Sequence, residues 1–290
     1  MKFLRSIGAG ALFLAMAAAH ADVPRRTSIS SVRDLPADTR IVRDIAYGRD
    51  PRQRFDVYLP PNAKRAPAIL LVHGGSWTFG DKDHPGLIPG KAGYWLPKGY
   101  VLISMNYRMR PDTPPLGQAQ DVARALAAVQ ARAAEWGVDR DRIALMGHSA
   151  GAHLAAVLAA SPQMLRAAGA APPRGAVLLD SAAYDVERLM KNPHPRLYDR
   201  AFGADRAAWL AVSPHGLLTK RSLPMLAVCS TRHVLASCAQ ARAFERKASA
   251  LGVRVDVLPQ DLSHMQVNRE LGSPSAYTEK VAEFLRSLGV

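Results

Sequence analysis

A mostly parallel, doubly wound α/β sheet is the fold class that this 290-residue sequence predicts, and three observations point to it. Continuous apolar runs such as Ala68-Ile69-Leu70-Leu71-Val72 have the composition of strands buried on both faces. Ala-rich segments with helical apolar spacing alternate with those runs. Two glycine-rich motifs stand where apolar runs end, and sheets of this class bind ligands at the carboxyl ends of their strands.

In chain order, Lys2 and Arg5 precede an apolar run from Ile7 to Ala19, and Ala19-His20-Ala21 fits a small-residue cleavage site. Residues 1–21 therefore read as a signal peptide and residues 22–39 as a polar leader. The run is short for a membrane span and no later segment approaches about 18 apolar residues, so no stable membrane insertion is expected after cleavage. The main domain then spans residues 40–290. It opens with an N-terminal antiparallel hairpin, Arg40–Tyr47 and Phe55–Leu59, around the turn Gly48-Arg49-Asp50-Pro51. Ala68–Val72 and Tyr100–Tyr107 are buried strands. Gln118–Trp136 is a helix with Val122, Leu126 and Val129 on one face, closed by Gly137. Gly175–Asp180, Pro224–Cys229 and Val253–Leu258 are further strands. Helices are expected over Ala239–Leu251 and Ser275–Leu288. Residues 185–222, broken by Pro193, Pro195 and Pro214, read as a small irregular cap-like insertion.

The chemistry is carried by Gly147-His148-Ser149-Ala150-Gly151, which joins an apolar strand to an Ala/Leu-rich helix. Gly147 and Gly151 stand where a Cβ would crowd a sharp strand-to-helix turn. Such a turn lifts the Ser149 hydroxyl above the sheet and aims the helix N-terminus at it, with the Ala150 amide placed for an oxyanion. Upstream, the strand ending at Val72 runs into His73-Gly74-Gly75-Ser76-Trp77. There the amides of Gly74 and Gly75 can approach a substrate oxygen, and His73 reads as a residue that orients the loop. Of the nine histidines, only His264 lies beyond His233. It follows the last strand, in a loop, where the chain order Ser…Asp…His requires a base. His148 and His153 read as packing or positioning residues.

His73-Gly74-Gly75-Ser76-Trp77 together with Gly147 to Ala155 resembles the α/β-hydrolase-fold esterases of the hormone-sensitive-lipase-like group, above all secreted feruloyl-esterase-like carboxylesterases. The likeness runs from about Val42 to the end. It implies an acyl-enzyme mechanism with Ser149 as nucleophile, His264 as base, and an aspartate after the strand that precedes the last one. That aspartate is missing: no Asp or Glu occurs between Asp205 and Glu245. Asp180, at the end of the strand following Ser149, is a topologically admissible replacement or else a loop anchor. Asp185 is a second choice on the same loop. Asp256 lies inside a strand, and Asp261 is only three residues from His264.

The two cysteines, Cys229 and Cys238, are the only ones and are expected to pair in an oxidising compartment, so the mature chain is expected in the periplasm or secreted. The formal charge of +14 is scattered, with no basic stripe and no nucleic-acid module, so nucleic acid is not an expected partner. The expected partner is a small-molecule ester. Neither a metal nor an organic cofactor is called for. Oligomeric state and acyl or alcohol specificity have no signature in the sequence. Two rival functions stay open: an arylformamidase-like amide hydrolase, and a catalytically impaired hydrolase fold used for binding.

Overall fold

Runs such as Ala66–Val72 have no polar face, so strands made from them need cover on both sides. The computed structural model describes residues 35–84 and 86–290, and in it eight strands form one sheet. They are β1 (Arg40–Ala46), β2 (Arg54–Leu59), β3 (Ala66–Val72), β4 (Val101–Met105), β5 (Val138–His148), β6 (Ala176–Leu179), β7 (Met225–Ser230) and β8 (Val255–Gln260). Their order is β1-β2-β4-β3-β5-β6-β7-β8. β2 pairs antiparallel with β1 and β4, and all other pairings are parallel. The sheet is mostly parallel with an N-terminal antiparallel hairpin, as the sequence predicts. The signal peptide and the polar leader up to residue 34 lie outside the described residues.

The alternation of side chains along a strand divides the core into two layers. Leu70 and Val72 of β3 face one layer, against α2 (Pro115–Ala131), α3 (Ala150–Ala160), α4 (Pro162–Ala167) and α9 (Ser237–Ala250). Ile69 and Leu71 face the other, against α1 (Pro89–Trp95), α10 (His264–Arg269) and α11 (Ala276–Ser287). All four of these β3 side chains are fully buried, each contributing roughly 1.5–3 kcal/mol by removal from water. From β3 the chain steps outward through α1 to β4, then returns through α2 past β3 to β5. The direction of winding thus reverses between β3 and β5, which leaves a crevice at their carboxyl ends.

Three sequence expectations need correction. The segment 118–136 is not one helix: α2 runs from Pro115 to Ala131, and a short 3-10 turn, Ala133–Trp136, leads to Gly137 at φ 65°. Residues 185–222 are not irregular but hold four short helices, α5 (Val186–Met190), α6 (Arg196–Phe202), α7 (Arg206–Ala211) and α8 (Pro214–Leu217). Pro195 is the N-cap of α6 and Pro214 its counterpart at the first position of α8, so prolines that read as breaks are helix starts. His264 is not in a loop: it is the first residue of α10, whose Ser263 and Gln266 form a reciprocal capping box.

Candidate active site

Parallel register lines up the ends of the central strands. His148 of β5 pairs with Leu179 of β6, which pairs with Val228 of β7. The next residue on each strand is Ser149, Asp180 and Cys229, so the serine and the aspartate emerge side by side. Each is anchored by its backbone: the Ser149 amide donates to Leu179 O at 2.9 Å, and the Asp180 amide to Val228 O at 2.8 Å. Both sit at positive φ, 56° and 54°, a conformation disfavoured for residues with a Cβ and sustained only where the surroundings enforce it. At Ser149 the enforcement is visible. A Cβ on Gly147 would collide with the Gly151 backbone, and one on Gly151 with Val72 O, so the turn closes only with glycine on both sides.

His264 completes the arrangement from the far side of β8. Its Nε2 lies 3.0 Å from Ser149 Oγ and its Nδ1 2.6 Å from Asp180 Oδ2. Asp180 is fully buried. Its other oxygen accepts from the Ser230 amide at 2.7 Å and from Ser237 Oγ at 2.6 Å. Burial alone would raise its pKa, but the donors gathered around it from His233, His264, Ser230 and Ser237 outweigh that and hold it far below the usual carboxylate range. An ionised acid in this position can fix the Nδ1–H tautomer of His264 and leave Nε2 free to accept a proton from Ser149. The other candidate acids are occupied elsewhere. Asp185 caps α5 through the Arg188 amide, Asp256 pairs with Arg254, and Asp261 pairs with Arg232.

Loop 73–80 lies over the serine turn. A Cβ on Gly74 would stand 2.9 Å from His148 O and 3.0 Å from Ser149 Cβ, so this backbone approaches as closely as it can. No hydrogen bond is taken up by the Gly74, Gly75 or Ala150 amides among the described residues. The loop itself is tightly held. Tyr107 Oη donates to His73 O at 2.9 Å, Gln118 Nε2 to Trp77 O at 2.8 Å, and Arg52 Nη2 to Gly80 O at 2.8 Å. Trp77 is wedged against His153, Tyr198 and Phe202. Amides fixed in this way need no rearrangement to meet a developing negative charge.

His73, His148 and His153 are buried. Burial pushes His73 down to about 4, His153 to about 4 and His148 to about 3, the last aided by neighbouring His264. His148 Nε2 donates to the backbone oxygen of His264 at 3.0 Å, and His153 Nε2 donates to Val212 O at 2.8 Å. Beside Ser149 lies a pocket of about 280 Å³, lined by Gly74, Phe79, Leu87, Met265 and Asn268 among others. Phe79 and Met265 are 66% and 50% exposed at its rim. No residue of 185–222 lines it.

Two features escaped the sequence reading. Lys91 is completely buried with its Nζ 2.8 Å from Asn268 O and 2.9 Å from Asn268 Oδ1, which ties α1 to the end of α10. No local signal marks it. The helical start at His264 did have one, the S-x-x-Q spacing of Ser263 and Gln266. Cys229 and Cys238 form a disulfide that closes the loop carrying Ser230 and Ser237.

Comparison with known proteins agrees with this architecture. Residues 55–247, 193 of 290, match the BD-FAE family model; that stretch contains Ser149, Asp180 and the Gly74-Gly75 loop but not His264. A probable isoprenylcysteine alpha-carbonyl methylesterase of Arabidopsis thaliana is 38% identical over 116 residues, covering 39% of this chain and 24% of that protein. Esterase LipQ of Mycobacterium tuberculosis is 28% identical over 260 residues, covering 82% of this chain and 61% of its own length. The chain thus spans less than two thirds of either curated relative. Among solved structures, esterase 2 of Thermogutta terrifontis, phosphonylated by sarin, superposes with a TM-score of 0.69 at 24% identity, over 87% of this chain and 96% of that one. With its reversal point between β3 and β5 and its glycine-flanked serine turn, the chain has the α/β-hydrolase fold and belongs to the BD-FAE family.

Proposed function

We propose that this chain is a serine carboxylesterase acting on small-molecule esters. The observation that carries this is the continuous relay Ser149 Oγ, His264, Asp180, with contacts of 3.0 and 2.6 Å, beside a largely apolar pocket. Ser149 Oγ attacks the ester carbonyl while its proton passes to His264 Nε2. The carbonyl oxygen becomes an oxyanion held by the amides of Gly74, Gly75 and Ala150. Collapse expels the alcohol, which takes the proton from His264. Water then attacks the acyl-enzyme with His264 again as base and restores Ser149. The relatives point the same way, since LipQ is described as an esterase and the Thermogutta enzyme carries an organophosphorus adduct.

The case for a silent binding protein is that the loop after β7 lacks an acid, and Asp180 beside His264 removes that ground. Nothing in the pocket favours formamide over ester substrates. A chromogenic ester panel of graded acyl length, with N-formyl aromatic amines alongside, tests the reaction class. Turnover of esters is expected, and it should disappear with one organophosphonate adduct mapped to the peptide carrying Ser149. Equal labelling of Ser149→Ala would contradict the assignment.

Residues 185–222 act in this reading as a small cap-like insertion that buttresses the loop 73–80, since Tyr198 and Phe202 pack on Trp77. The chain is exported to the periplasm or secreted, a reading supported by the Lys2-to-Ala21 pattern and the Cys229–Cys238 bond. A mature N-terminus other than Asp22 would count against that cleavage site.

A further inference from the structure

We infer that His233 is a positioning residue for the acid, sharing Asp180 with His264. This rests on the proposed triad and adds a member to it. The His233 Nδ1 lies 3.0 Å from Asp180 Oδ2, the same oxygen that faces His264 Nδ1. Its ring lies tilted against the His264 ring, with centroids 4.5 Å apart and planes at 33°. His148 flanks the same base at 4.6 Å and 36°. His233 has no other use for its buried Nδ1, which finds no aligned hydrogen-bond acceptor. The contact with Asp180 is short but not aligned as a hydrogen bond in the resting structure. Hydrogen bonds in resting active sites commonly straighten only as the transition state forms.

The surrounding loop is built to deliver this residue. Ser230 and Ser237, at the two ends of the disulfide-closed segment, grip Asp180 Oδ1, and His233 between them reaches Oδ2. One carboxylate oxygen is thereby held, and the other approached, from one loop that faces His264. An acid at the end of β6, two strands from the β8 end that leads to the base, needs this: without a partner on Oδ2 other than the base, the carboxylate can follow the moving His264 ring instead of fixing it.

Two substitutions separate donor from ring. His233→Phe keeps an aromatic ring against His264 and removes Nδ1. His233→Asn keeps an N–H at the same distance from the backbone and removes the ring. The expected result for His233→Phe is a fall in kcat of about tenfold or more, the scale of one hydrogen bond to a charged group, with KM within about twofold. His233→Asn should stay within about threefold of wild type. Proton NMR of the far-downfield His264 Nδ1–H resonance supplies a readout that needs no turnover. It should broaden or shift in His233→Phe and persist in His233→Asn. Absence of ester turnover in the wild type would sink the esterase reading alone, with the resonance still reporting on His233. Wild-type kcat and an unchanged resonance in His233→Phe, or an Asn variant as impaired as the Phe variant, would overturn the positioning role.

Discussion

The two halves of the candidate site are encoded in different ways. The Ser149 turn and the Gly74-Gly75 loop are local: a few consecutive residues, with glycine where backbone meets backbone, determine their shape. The acid–base half is assembled from β6, the loop after β7 and the start of α10, separated by up to 84 residues between Asp180 and His264. Backbone sterics define the first half and sheet register the second. The local half should therefore be broken by adding single atoms, whereas the distributed half should respond to the loss of particular charges and donors.

A large effect is expected in the local half. Gly74→Ala forces a methyl group to within about 3 Å of His148 O and Ser149 Cβ, so the loop must lift and its amides with it. Loss of one oxyanion donor elsewhere costs on the order of 10²–10³ in kcat, and a drop of at least about 10² is expected here with the fold retained. Circular dichroism with steady-state kinetics checks it. A near-wild-type kcat would remove Gly74 from the oxyanion site.

A smaller effect is expected where the distributed half is tied down. Lys91 holds the end of α10 through Asn268, and burial pushes its pKa down to about 7. The unfolded chain keeps a lysine near its ordinary value of about 10.4. Between those two values the unfolded state binds more protons than the folded one, so this group makes stability rise with pH, from about 7 toward 10. Denaturant midpoints across that range should rise more steeply in the wild type than in Lys91→Met. Parallel slopes would show that Lys91 is not the source.

The same division explains what was legible in the sequence. Gly147-His148-Ser149-Ala150-Gly151 and His73-Gly74-Gly75 could be read directly because backbone crowding leaves a glycine signature within a few residues. The order of strands and helices was equally plain, since β3, β4 and the second half of β5, from Ile143 to Met146, are largely apolar runs. Asp180 could only be proposed as admissible, because its distance from His264 depends on how β5, β6 and β7 align. His233 and Lys91 were invisible for the same reason: their partners, Asp180 and Asn268, are 53 and 177 residues away. Prolines misled the reading of 185–222, because Pro195 and Pro214 begin helices there.

The central claim is that an aspartate at the end of β6 serves a base at the start of α10. The direct measurement is kcat of Asp180→Asn on a short-chain aryl ester, with thermal unfolding recorded alongside. The amide keeps the carboxylate's shape, but it loses the charge that fixes the His264 tautomer and stabilises its protonated form. A fall in kcat of about 10²-fold or more, in a protein that unfolds at a temperature close to the wild type's, is the predicted result. An unchanged kcat would mean that His264 works without Asp180, and the account of the distributed half would be wrong.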